Sequence, residues 1–177
     1  IYLQAGSMGA GFASIEEIRK ALADFKTSGK FVVAYGDQYS QRLYYLASVA
    51  DKVMLNPQGS IGWYGLASTP VFYKDLLSKI GVEMQVFKVG TYKSAVEPFI
   101  STEMSPANRE QVTVFLDGIW GQMLGDISES RGVSKEKLNE AADKMLMFYP
   151  AEDCVVYGLA DTLICLLYTS PSPRDST

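Results

Sequence analysis

Along this chain, short apolar runs alternate with stretches of helical spacing. Ile15, Ile18, Leu22 and Phe25 recur three and four residues apart, one face of a helix. Ser14-Ile15-Glu16-Glu17 has the spacing of a capping box at its start, and Gly29 follows as a stop. Phe31 to Tyr35 is a continuous apolar run, the pattern of a buried strand. Arg42 to Ala50 reads as a helix with Leu43, Leu46 and Val49 on one face. Lys52 to Leu55 reads as a strand ended by the turn Asn56-Pro57-Gln58-Gly59. A helix over about Pro70 to Ile80, a strand over Val82 to Val89 and a loop from Gly90 to Met104 follow. Ser105-Pro106 supplies an N-cap and a first-turn proline for a long helix, with Val112, Phe115, Ile119, Met123 and Ile127 as its apolar stripe. Ser134 to Asp143 is a shorter helix. Ala151 to Tyr157 adds a last helical segment stopped by Gly158, and Leu159 to Ile164 a last strand. Such β-α alternation with continuous apolar strands predicts a mainly parallel sheet flanked by helices. No internal repeat is visible.

Composition narrows the function classes. The 177 residues suit one domain with a sizeable core. The 16 basic residues are scattered and the net charge is −4, which argues against nucleic acid and disfavours acidic substrates. Two cysteines, Cys154 and Cys165, fit no metal motif and form no disulfide framework. No apolar run approaches the roughly 20 residues of a membrane span. The histidine count is zero. That removes the Ser-His-Asp triad, the Cys-His pair and every His-dependent zinc site, so an activated nucleophile needs lysine or a carboxylate as its base.

Neither end reads as native. Ile1-Tyr2-Leu3-Gln4 reads as a strand entered midway, and residues 165–177 resemble a sequencing-library adapter translated in one frame. Its Ser-Pro-Ser-Pro neither packs nor pairs, so this tail is expected to be disordered and is set aside.

Lys93 is the candidate base. It lies in Val89-Gly90-Thr91-Tyr92-Lys93-Ser94-Ala95-Val96-Glu97-Pro98-Phe99, after a predicted strand end, where α/β proteins place their sites. Two readings stand side by side. Apolar walls from Tyr92, Val96 and Phe99 would desolvate the ammonium and favour a usable amine. The commoner case is a solvated loop lysine paired with Glu97.

Gly90-Thr91-Tyr92-Lys93-Ser94-Ala95-Val96-Glu97-Pro98-Phe99 resembles the lysine motif of long-form signal peptide peptidases, the protease IV family. Tyr39 to Ser48 with Ala50-Asp51-Lys52-Val53, Asn56-Pro57-Gln58-Gly59, Met104-Ser105-Pro106-Ala107 and Gly158-Leu159-Ala160-Asp161 also resemble that family. The likeness runs over about residues 1–164 and is looser after about 130. It implies a Clp-protease/crotonase-like α/β fold and a Ser-Lys dyad, with no cofactor and no metal. In long forms the fold occurs twice: the first half supplies the lysine and the second the serine. Aligned on Tyr44-Tyr45, the family's serine falls at Gln41, and Arg42 and Leu43 replace two glycines. Glutamine is no nucleophile, so residues 1–164 are expected to be an N-terminal repeat, inactive alone, whose nucleophile lies in a missing second half.

Other serines are judged against this. Ser40, one residue off, reads as a helix N-cap. Ser60, in Gly59-Ser60-Ile61-Gly62, matches a serine that helps hold the lysine in catalytic copies, or is a turn residue. Ser94 is a possible supporting residue or a loop hydrogen bond. The glycine-rich Ala5 to Gly11 lies, in the family, near the oxyanion side of catalytic copies, or is only a turn. Tyr44, Tyr45, Trp63, Tyr64, Phe72 and Tyr73 read as core, some of them possible linings of an apolar groove. The resemblance further implies apolar signal-peptide substrates, homo-oligomeric sister protomers and a missing N-terminal anchor. The place implied is the bacterial cytoplasmic membrane, with the catalytic domain on its extracytoplasmic side. Competing readings are a non-catalytic scaffold or binding domain and a crotonase-type acyl-CoA enzyme. The latter needs an oxyanion loop and paired acids, neither of which is evident.

Overall fold

The computed structural model describes residues 1–87, 89–90 and 93–165. These form two compact units, one of residues 1–65 with the chain from 123 onward, the other of residues 66–122.

The first unit is built on a four-stranded sheet in the order β1-β2-β3-β4, with every neighbouring pair parallel. The strands are β1 Tyr2–Gln4, β2 Val33–Tyr39, β3 Lys52–Ile61 and β4 Thr162–Leu163. Helices α1 (Phe12–Thr27), α2 (Gln41–Ala47), α6 (Lys135–Asp143) and α7 (Ala151–Val156) flank it, with the second half of α5 (Pro106–Arg131). This is the parallel α/β architecture, a sheet flanked by helices, that the sequence predicts.

Several local expectations are corrected. Helix α1 begins at Phe12, with Gly11 as N-cap and no side-chain cap, so Ser14 lies inside the first turn and the capping box does not form. Ile18 is exposed, and Arg19 shares the buried face with Ile15 and Leu22. Phe31 is exposed, and β2 starts at Val33 and runs on to Tyr39. Strand β3 does not end at Asn56. Gly36 pairs with Leu55 and Gln38 with Ser60, so residues 56–59 bulge out opposite Asp37 alone. Asn56 shapes the bulge by accepting the Gln58 N–H through Oδ1 at 2.9 Å and donating to Asp37 Oδ1 at 2.8 Å. At Gly59 a Cβ would sit 2.3 Å from the Asp37 carbonyl oxygen, so only glycine fits. The predicted turn residues are right; the strand resumes after them.

Gly158 to Asp161 closes the sheet. Gly158 adopts φ +79°, and Leu159 and Ala160 are buried. The Asp161 carboxylate accepts from the Val53 N–H at 2.7 Å and from Arg131 Nη1 at 2.9 Å. Burial works against its charge, but Arg131 and the Val53 N–H together hold its pKa below the ordinary carboxylate value. Trp63 is fully buried, and its indole N–H donates to the Leu138 carbonyl at 2.9 Å.

The second unit holds α3 (Lys74–Lys79), α4 (Glu97–Ile100) and the first half of α5. The predicted helix over 70–80 is thus shorter. The segment predicted as a strand over 82–89 is irregular in its described residues, and Lys88 lies outside them. Phe87 and Val89 in that segment are 97% and 83% exposed, so it gains no buried face on which a strand would form. Ser105 caps α5 as expected, its Oγ accepting from the Asn108 N–H at 3.2 Å. Phe115, placed on the apolar stripe of α5, is exposed, whereas Met123 and Ile127 are buried. Of the tail, only Cys165 is among the described residues.

Candidate active site

Ser40 and Gln41, the two residues weighed above for the family serine's place, follow the end of β2. Ser40 leaves the strand in an extended conformation and caps α2, its Oγ accepting from the Leu43 N–H at 3.4 Å. Ser40 is therefore the N-cap it was read to be. Gln41 is the first residue of α2 and is buried. Its amide is engaged at both ends. Oε1 accepts from the N–H groups of Tyr64 and Gly65, each at 3.0 Å, and Nε2 donates to the Gly65 carbonyl at 2.9 Å. Gln41 thus pins the chain where it leaves β3. Removing it strands those backbone groups. Gln41→Ala is expected to destabilise the first unit by about 1–3 kcal/mol, read as a lower urea midpoint at unchanged slope.

Ser60 of β3 pairs with Gln38 of β2 and is half-buried, a strand residue beyond the bulge. Tyr44, Tyr45 and Trp63 are core residues. Tyr44 packs edge-on to Trp63 at 5.9 Å and to Tyr39 at 6.4 Å, and burial pushes its phenol above its ordinary range. Tyr64 and Tyr73 are exposed. A cavity of about 290 Å³ in this unit is lined by residues 2–8 together with Ala34, Tyr39, Leu43 and Leu46. Gly6 in that lining, and Gly9 and Gly11 further along the chain, have open space where a Cβ would stand.

Lys93 belongs to the second unit and is exposed, outside any helix or strand. Of the walls considered for it, Val96 is half-buried, Phe99 is 40% exposed, and Tyr92 lies outside the described residues. The Ser94 carbonyl accepts from the Glu97 N–H at 2.9 Å, a turn that leads into α4. Glu97, suggested as a surface partner for the lysine, is instead buried. Its Oε1 accepts from Ser105 Oγ at 2.6 Å, and its Oε2 from Asn108 Nδ2 at 2.9 Å and the Ser105 N–H at 3.2 Å. The Tyr73 N–H donates to the Pro98 carbonyl at 2.6 Å, and the Tyr73 and Phe99 rings stack 6.0 Å apart.

Comparison with known proteins places this arrangement. The family model of peptidase family S49 matches residues 24–167. The chain belongs to peptidase family S49. Protease 4 of Salmonella typhi is 42% identical to it over 164 residues, which are 92% of this chain and 26% of that protein. Protease 4 of Haemophilus influenzae is 39% identical over 138 residues, 78% of this chain and 22% of that protein. The chloroplastic serine protease SPPA of Arabidopsis thaliana is 32% identical over 136 residues, 77% of this chain and 20% of its own length. The chain therefore spans about a quarter or less of these relatives.

Within this S49 chain the motifs that carry the likeness divide by role. Asn56 to Gly59 and Gly158 to Asp161 serve the sheet. The segment around Lys93 and the Ser105 cap meet through Glu97. Sequence reasoning missed that link. Its one local sign was Ser105 with Asn108 three residues on, the spacing at which a cap and the third helical position interact. The acid lies in α4, across a break in the chain from the cap of α5, so no single helical or strand pattern joins the two.

Proposed function

We propose that this chain is the lysine-bearing half of a membrane-associated serine endopeptidase that degrades cleaved signal peptides. The observation that carries the reading is Gln41. Its buried amide, engaged through both its oxygen and its nitrogen with the Tyr64 and Gly65 backbone, is no nucleophile, and it stands where the resemblance puts the family's serine. The nucleophile then comes from a second repeat, and Lys93 serves it. Lys93 takes the proton from the serine hydroxyl as the oxygen attacks the peptide carbonyl, and returns a proton to the leaving amine. The exposure of Lys93 fits this division. Docking of the second repeat would bring the serine hydroxyl within reach of the amine. Apolar substrates suit the cavity beside residues 2–8.

Sister protomers and an anchor upstream of Ile1 complete the proposal, which places the catalytic domain on the extracytoplasmic side of the bacterial cytoplasmic membrane. Among the described residues no helix is long and apolar enough to cross a membrane. The proposal needs no cofactor.

Fluorophosphonate labelling of the full-length protein, followed by peptide mapping, tests the split. The adduct is expected on a serine outside residues 1–164, with the chain alone unlabelled. An adduct on Ser40, Ser60 or Ser94 would overturn it.

A further inference from the structure

We infer that Glu97 is a positioning residue for Lys93: its buried carboxylate fastens the loop that carries the lysine to the first turn of α5. The inference rests on the reading of Lys93 as the base. Glu97 is 3% exposed, and a carboxylate so buried is costly unless its oxygens are satisfied. Here they accept from Ser105 Oγ, the Ser105 N–H and Asn108 Nδ2. The place suits a negative charge, because it lies at the N-terminus of a 26-residue helix, where the helix dipole favours an anion. Ser105 joins the two functions, since its hydroxyl donates to Glu97 and accepts from the Asn108 N–H.

The consequence for Lys93 follows from the chain. The Ser94 carbonyl and the Glu97 N–H close a turn, and Tyr73 holds Pro98 from the other side. The backbone from Ser94 to Asn108 is thereby fastened at both ends, and Lys93 is the residue before it. A base must reach its proton within hydrogen-bond range, and a misplacement of about 1 Å can cost about a hundredfold in rate. Glu97 acts through the backbone and not on substrate. Its effect belongs in kcat, not KM.

The experiment uses the full-length protein, with active sites counted by the endpoint of fluorophosphonate labelling. Glu97→Ala is expected to lower kcat per labelled site by about a hundredfold with KM within about twofold. Glu97→Gln loses one acceptor and turns its amide toward the Asn108 amide, so it is expected to be impaired as well. Combining Glu97→Gln with Asn108→Asp restores the bond between these two side chains, though not the one from the Ser105 N–H, and is expected to recover part of kcat. A merely structural role would lower the number of labelled sites and leave kcat per site unchanged. That result, in Glu97→Ala or, where it does not fold, in Glu97→Gln and the exchange pair, overturns the inference. Lys93→Ala is measured alongside. If it retains activity, the reading of Lys93 fails. If it is inactive while the Glu97 variants keep parental kcat, only the positioning role fails.

Discussion

Lys93→Ala in the full-length protein is expected to lower kcat/KM for peptide hydrolysis by roughly a thousandfold, and Lys93→Arg to lower it as far. The chain has no histidine, so no imidazole within it can substitute for a missing amine. Arginine makes the sharper test. It keeps the positive charge and much of the reach, but its guanidinium does not give up a proton in the accessible range. A lysine that only stabilised negative charge would tolerate arginine, whereas a lysine that accepts a proton would not. The pH profile separates the roles again. A base must be unprotonated before the serine attacks, so activity rises with pH along the limb that reports it, and removing the base removes that limb. Because Lys93 is exposed in this chain, neither substitution breaks a packed contact here, and melting temperature and assembly are expected to be unchanged. Parental kcat/KM in Lys93→Arg would reassign the lysine to an electrostatic role.

The sequence made the parallel sheet legible because its strands are short apolar runs separated by helical spacing, and both signals are local. β2, β3 and α2 were found this way, as were the caps at Ser40 and Ser105. The errors share a cause. Ser14 with Glu17 has the right spacing for a cap, yet the helix starts two residues before Ser14, where Gly11 already accepts the Ile15 N–H. Pro57 and Gly59 look like a strand end, yet the register with β2 absorbs them as a bulge. Phe115 lies on the helical stripe but outside the packed half of α5.

The site divides in the same way. Lys93 was singled out because an unusual motif surrounds it in sequence. The clamp made by Gln41 spans 24 residues and that of Glu97 spans 8 and 11, and each joins residues that share no single helix or strand, so local periodicity does not mark them. Nothing in composition or spacing marks Arg19 as a core residue either, since charged side chains are rarely buried.

Arg19→Ala is expected to destabilise the first unit by about 3–5 kcal/mol, the loss seen when one partner of a buried charged network is removed. Arg19 is 6% exposed, and its fork bridges two elements. Nη1 donates to the Tyr45 carbonyl at 2.6 Å and to Ser48 Oγ at 2.7 Å. Nη2 donates to the Asp126 carbonyl at 2.7 Å and to Ser130 Oγ at 2.6 Å. The guanidinium also lies 5.0 Å from the centroid of the Tyr45 ring, and the Tyr45 hydroxyl donates to the Asp126 carboxylate. Burial lowers the arginine pKa, while Tyr45 and Asp126 act to hold the charge. One side chain on α1 therefore joins α2 to the second half of α5. Alanine removes all four donors at once and leaves the Tyr45 and Asp126 carbonyls facing an unfilled space. Lysine distinguishes geometry from charge. Its ammonium keeps the charge but cannot span both pairs of acceptors as a planar fork does. Arg19→Lys is expected to recover less than half of the loss. Urea denaturation followed by far-ultraviolet circular dichroism measures all three proteins. Equal midpoints for arginine and lysine would show that charge alone, and not the fork, holds α1, α2 and α5 together.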